Sequence, residues 1–200
     1  ENQSYLRIPI RTKMIYPSDD IVQVVEEYTS SQLQKSDVII ISEKVVAITQ
    51  ERAFRIEDIK PSPLARFLSK FIHKSPHGLG LGTPWTMELA IREVGVLRII
   101  FASIVGALGK LFGVRGLFYR ICGDRVRSID GPFEQTIPPY DECVILGPQD
   151  PNLVAERIKA ALGCAVAVID ANDLGVNILG VSGPEVDQAL LEKLLQDNPL

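Results

Sequence analysis

The sequence predicts a mixed α+β domain (mixed α/β). Three observations carry that expectation. Apolar residues recur at helical spacing in several segments, as in Ile21, Val24, Val25 and Tyr28. Short β-branched or apolar runs, Asp37-Val-Ile-Ile-Ile41 and Ala165 to Ile169, have the length of strands. These pieces alternate without an internal repeat or one clean βαβ rhythm, which leaves α+β and α/β as the available classes.

Tyr5 to Ile10 alternates apolar and polar residues and reads as an opening strand. Ser18 can cap a helix beginning at Asp19-Asp20, because its hydroxyl accepts a free backbone N–H and the carboxylates complement the positive helix end. The unbroken run Val38 to Ile41 is expected of a strand buried on both faces. Lys44 to Ile48 suits either an extended or a short helical piece. Pro61 to Lys74 has helical spacing through Leu64, Phe67, Leu68 and Phe71, and a glycine-rich loop, His77-Gly-Leu-Gly-Leu-Gly82, follows. Thr83 reads as an N-cap with Pro84 at the first helical position, and Gly95 ends that helix. Leu97 to Phe101 reads as a strand, Ala102 to Phe112 as an apolar helix, and Leu117 to Ile121 as another strand. Pro138-Pro139-Tyr140 is a loop. Pro151 to Leu162 is helical, Ala165 to Ile169 a buried strand ending in Asp170-Ala-Asn-Asp173, Val176 to Val181 a further strand, and Pro184 to Gln196 an amphipathic last helix with Val186, Leu190, Leu191 and Leu194 on its apolar side.

Two hundred residues, 46 % hydrophobic and 23 % charged, suit a folded chain with a sizeable core. A net charge of -4 argues against general nucleic-acid binding. The longest apolar uncharged stretch, Ile99 to Gly109, falls short of the roughly 20 residues of a membrane-spanning helix, so no membrane partner is expected. No signal segment opens the chain, and Glu1 in place of Met is expected of a trimmed or partial chain. Cys122, Cys143 and Cys164 are scattered and form no C-x-x-C pair. They read as reduced core thiols of a cytoplasmic protein, and His73 and His77 lack metal-ligand spacing.

The candidate sites are polar groups at strand ends and local excesses of charge. Asp170 follows a buried strand directly, at the C-terminal end where open α/β sheets bind ligands. With Asn172 or Asp173, and Asp130 from elsewhere in the chain, it offers the oxygen ligands that Mg²⁺ takes alongside waters and phosphates. The same Asp-Ala-Asn-Asp-Leu-Gly stretch also makes an ideal turn. Gly78, Gly80 and Gly82 before the Pro84 helix can bring backbone N–H groups close to an anion, or simply turn the chain. They follow no strand and so are not a dinucleotide fingerprint. Gly109-Lys110 resembles the end of a P-loop, but Leu111 stands where Ser or Thr is required.

Lys110, Arg115, Arg120, Arg125 and Arg127 are opposed only by Asp124. This local excess favours an anionic small molecule or nucleotide, or else forms a solvated face. Arg120, in a strand pattern, is the member expected to be held most rigidly. Ser42-Glu43-Lys44 at the end of the first buried strand can contact a nucleotide or metal, or make a turn. Trp85 and Met87 read as core. No Ser-His-Asp or Cys-His set can be assembled.

Five segments then fall in a recognisable order. They are Leu6-Arg-Ile-Pro9, Ser36-Asp-Val-Ile-Ile-Ile-Ser-Glu-Lys-Val-Val46, Ser128-Ile-Asp130, Ala165-Val-Ala-Val-Ile-Asp-Ala-Asn172 and Leu179-Gly-Val-Ser-Gly183. Together they resemble the coenzyme F420-0:L-glutamate ligase (gamma-glutamyl ligase) family. The resemblance implies a glutamate-ligase-like fold with mixed sheets and flanking helices over residues 1–200, as one domain or two intertwined lobes. It also implies GTP- and divalent-metal-dependent amide formation between a carboxylate and an amino acid such as L-glutamate, in a homodimer. Asp130 and Asp170 would hold Mg²⁺ or Mn²⁺, and Ser42, Glu43 and Lys44 would lie beside GTP. Departures mark the chain: Ile48 stands where the family has Lys, Ala171 where it has Thr, Phe133 where it has Asn, and Asp173-Leu-Gly-Val replaces an arginine-rich stretch. They keep a second reading open, a non-catalytic anion-binding or assembly module on the same fold.

Overall fold

A computed structural model describes residues 4–72, 80–114, 116–133, 136–172 and 175–196. The chain divides into two compact units, Glu1–Thr49 with Asp150–Leu200, and Gln50–Gln149.

The first unit is built on a three-stranded sheet. Helix α1 (Ile21–Thr29) is followed by strand β1 (Val38–Ser42) and helix α2 (Glu43–Thr49). Asp20, not Ser18, caps α1, its carboxylate accepting from the N–H groups of Val22 and Gln23 at 2.9 and 3.1 Å. Ser18 cannot take that place because the chain is still turning there. Asp19 closes the turn by accepting from the Tyr16 N–H and pairing with Lys13, and this pairing holds the Asp19 carboxyl below its ordinary range. Tyr5 to Ile10 pairs with no strand among the described residues. It runs irregularly and largely exposed, the Arg7 guanidinium donating to the Leu194 carbonyl.

The expectation of a strand buried on both faces fails for β1, which alternates exposed and buried. The reason lies in the sheet order, which puts β1 at an edge beside the strand Ala165–Asn172. Helix α8 (Pro151–Leu162) leads into β4 (Ala165–Asn172), β5 (Gly175–Val181) and helix α9 (Gln188–Leu195). Ile39 and Ile41 of β1 join Val166 and Val168 of β4 in a core with Ile21, Val25, Val46, Val154 and Ile158. The opposite face is covered around Ala167 and Ile169 by Val186, Leu191 and Leu195. Val38 and Ile40 stay exposed. β1 runs parallel to β4, and β4 antiparallel to β5 with a bulge at Val168/Ile169. Asp170, Ala171 and Asn172 therefore extend strand β4 instead of turning. The last helix starts at Gln188, later than Pro184, because Asp187 supplies its cap to the Leu190 N–H.

The second unit pairs two short strands, β2 (Ala53–Arg55) and β3 (Cys143–Ile145), in antiparallel fashion. Between them lie α3 (Pro63–Leu68), α4 (Pro84–Val94), α5 (Val96–Leu111), α6 (Leu117–Cys122) and α7 (Asp124–Arg127). Thr83, Pro84 and Gly95 act as their residue types require. Thr83 and Thr86 form a capping box, and Gly95, with φ +86°, closes α4. Leu97 to Phe101 is no strand but the first turns of α5, and Leu117 to Ile121 is helix α6. Both belong to a helical hairpin that packs closely through glycines. A Cβ on Gly106 would come within 3.2 Å of Phe118 Cβ, and one on Gly109 would collide with Leu117. The core gathers Leu81, Met87, Leu89, Ile99, Val126, Ile129 and Val144, with Trp85 packed against it. The three cysteines are buried free thiols.

Candidate functional site

Parallel pairing of β1 with β4 brings two of the sequence-predicted groups to one edge of the first unit. Ser42 lies opposite Ile169 in the register, so Ser42-Glu43-Lys44 leaves the C-terminal end of β1 one register step from Asp170, which lies within β4 two residues before its end. That is the end of an open sheet where ligands bind. Glu43 is buried at the first position of α2, Ser42 and Lys44 are exposed, and Asp170 is half-buried. Asn177 stands across from Asp170 in the β4–β5 pairing and adds an exposed amide to the same edge. Sequence reasoning passed over Asn177, which becomes visible only through the register. The edge thus carries an exposed hydroxyl, ammonium and amide and the half-buried Asp170 carboxylate, with the Glu43 carboxylate buried. The donor chemistry suits a divalent ion of the Mg²⁺ class bound with phosphate oxygens.

Asp130 belongs to the second unit. Its backbone exchanges two hydrogen bonds of 2.9 Å with Ile145, which fixes it as a one-residue bridge, and its side chain is half-buried. Among the described residues, no group of three or more His, Cys, Asp or Glu side chains is arranged to hold a metal.

The glycine loop is only partly described, since Gly78 and both histidines lie outside the described residues. Gly80 takes φ +46°, and Leu81, Gly82 and Thr83 are buried. The Tyr119 phenol accepts from the Leu81 N–H. Burial pushes that phenol up and the Leu81 contact pulls it partly back. The described part of the loop is therefore packed against α6.

Arg115 also lies outside the described residues. Arg120 is exposed on α6, so the rigid strand position expected for it is replaced by a solvated helical one. Arg125 and Arg127 are exposed as well, Arg125 approaching Glu93 at 3.9 Å and Arg127 approaching Asp124 at 3.8 Å. Among the described residues, the buried cation of this unit is Arg52, which pattern reading did not single out. Arg52 donates to the Gly147 carbonyl at 2.6 Å and to Glu93 at 3.0 Å, a structural pairing that ties the start of the unit to its end.

The remaining motif proves to be a brace. Ser182 Oγ accepts from the Val166 N–H and donates to Glu185, both at 2.9 Å, and Lys159 holds the same carboxylate at 2.7 Å. A Cβ at Gly180 would sit 2.5 Å from the backbone where α8 begins, at Pro151 and Asn152. The Gly-Val-Ser-Gly segment therefore needs small residues for packing.

The single-residue departures fall in ordinary structural places. Ile48 is buried in α2, Ala171 is half-buried in β4, and Phe133 is exposed.

A profile described as F420-0:Gamma-glutamyl ligase matches residues 9–173. A relative from Methanopyrus kandleri (strain AV19), named coenzyme F420:L-glutamate ligase, is 27 % identical over 176 residues. That match takes in 88 % of this chain, and the chain spans 58 % of the relative's length.

Proposed function

Since the chain belongs to the F420-0:Gamma-glutamyl ligase family, we propose that it forms an amide between a carboxylate substrate and the amine of an amino acid such as L-glutamate, at the expense of GTP. The observation that supports this reading is the parallel pairing of β1 with β4, which sets the backbone of Ser42-Glu43-Lys44 one register step from that of Asp170.

The chemistry follows from what amide formation needs. A carboxylate is a poor electrophile until its oxygen attacks the terminal phosphate, which releases GDP and leaves an acyl phosphate. The amine then attacks the acyl carbon, and inorganic phosphate departs with its electron pair. Two anions must approach each other in the first step, so the site must neutralise charge. Lys44 supplies a flexible ammonium for phosphate oxygens, and Ser42 a hydroxyl donor. Asp170 would hold Mg²⁺ or Mn²⁺, which supplies positive charge to the polyphosphate when bound, and the resemblance implies Asp130 as a further ligand. Free thiols and the family chemistry support a cytoplasmic enzyme, and the family resemblance supports a homodimer.

The test is thermal. A ligand that binds only the native state stabilises it, so GTP with Mg²⁺ or Mn²⁺ near a hundredfold over its dissociation constant should raise the melting temperature by roughly 5–10 °C. Asp170→Asn should remove the metal-dependent part of that rise. A flat response to every nucleoside triphosphate, with either metal, refutes the proposal. A second reading, a binding module without the chemistry, is favoured by the burial of Ile48 where the family has Lys. Stabilisation by GTP without GDP release in the presence of carboxylate and glutamate would select it.

A further inference from the structure

The helical hairpin of the second unit carries a surface that a water-facing helix does not ordinarily have. Leu97, Phe101, Ile104, Leu108, Leu111 and Phe112 follow one another at intervals of three or four residues, apart from the closing pair, and form one stripe along α5 and its C-cap, Phe112. Leu97 is 84 % exposed, Leu111 79 % and Phe112 82 %. The six side chains present on the order of 800 Å² of apolar surface, above the ~300–600 Å² of the largest patch on a typical monomer. The opposite side of α5, through Ile99, Ala102, Gly106 and Gly109, is the one committed to the interior and to α6.

Charge says what covers the stripe. From Val94 to Gly123 there is no Asp or Glu, and four bases occur: Arg98, Lys110, Arg115 and Arg120. The segment is thus +4 in a chain of net -4. Arg98, Lys110 and Arg120 are exposed and form no salt bridge among the described residues. A second copy docking on the same face would set these bases against themselves with no acid in the segment to pair them. An anionic lipid surface matches both properties at once, taking Leu and Phe into its acyl boundary and the bases among its phosphates.

Length decides the mode of contact. Sixteen residues make a helix of about 24 Å, short of the ~30 Å hydrocarbon core. Among the described residues, the one helix pair long enough together, α4 with α5, is bent by 116°, and α4 is buried from Thr86 to Ile91.

We propose that α5 docks the protein on anionic membrane surfaces, lying in the plane of the interface with its exposed leucines and phenylalanines inserted. Absence of a spanning helix, the ground on which the sequence excluded a membrane, does not bear on such a contact.

Co-sedimentation of the full chain with vesicles tests it. The protein should pellet with phosphatidylcholine vesicles containing phosphatidylglycerol, at least tenfold more weakly with phosphatidylcholine alone, and less in high salt. Lys110→Gln should weaken binding about fivefold. Replacing Leu97, Phe101, Leu108 and Leu111 with Gln should abolish it while the helical circular dichroism is retained. Independently of that variant, the fluorescence of Phe112→Trp should be quenched by brominated acyl chains. Protein left in the supernatant with anionic vesicles overturns the proposal. So does an unquenched Phe112→Trp, or a dimer in sedimentation velocity that the Gln variant dissolves while no vesicle binds.

Discussion

Cys122 sits at the base of the hairpin with 2 % of its surface exposed, and burial pushes its thiol up to about 11, with Arg98 opposing the shift. The thiolate is the reactive form. Cys122 should therefore resist iodoacetamide at pH 8 in the native protein and react once unfolded, and rapid native labelling at this residue, read by mass spectrometry, would contradict the burial. Glu88 reports in the opposite direction. Burial pushes its carboxyl up, but the Ser62 N–H at 2.9 Å and Arg92 at 3.2 Å outweigh that and hold it below its ordinary value. A depressed folded pKa adds stability above the unfolded value of ~4.3, and that stability is lost as pH falls through the folded value. Glu88→Gln should cost about 1 kcal/mol at pH 7, because a charged acceptor is worth more than a neutral one, and the two proteins should converge in stability toward pH 3. A gap independent of pH in denaturant melts would contradict this. At this scale the sequence was legible wherever the chemistry is local. Thr83, Pro84 and Gly95 need only their near neighbours, whereas Ser18 lost the cap to Asp20 because Lys13, several residues back, engages Asp19 and prolongs the turn.

The elements that the sequence missed share a cause. Val96 to Leu111 is apolar on nearly every side, so the period that separates helix from strand disappears. Its β-branched start looked like a strand, while Gly106 and Gly109, which let the helix lie on α6, carry no periodic signal. β2 and β3 are three residues each, too short for any pattern, and Asp170, read as following the end of its strand, lies within β4 as the register partner of Asn177. The small residues nevertheless make the element scale testable. Gly180→Ala would press a methyl into the Pro151–Asn152 backbone, which cannot rotate away, and should destabilise the first unit by about 1–3 kcal/mol. A variant as stable as wild type in urea titration would show that β5 and α8 pack less closely than described.

For the whole chain, the organisation is a discontinuous unit whose two parts flank a continuous one. The adjacency of Ser42–Lys44 and Asp170 along the sheet follows from the parallel pairing of β1 and β4, which are far apart in sequence. The continuous unit has its own core and its own sheet. Residues 50–149 expressed alone should therefore melt cooperatively by circular dichroism, and a broad, featureless transition would show dependence on the rest of the chain. Its two ends are held together. The Gln50 amide donates to the Gln149 carbonyl at 2.9 Å and accepts from the Gln149 N–H at 2.7 Å, and Arg52 reaches the Gly147 carbonyl beside them. A hundred residues thus begin and finish at a single doorway. Such a cassette can be ring-closed by a linker of a few glycines and reopened elsewhere along its circuit, or lifted out and grafted into an exposed turn of an unrelated carrier.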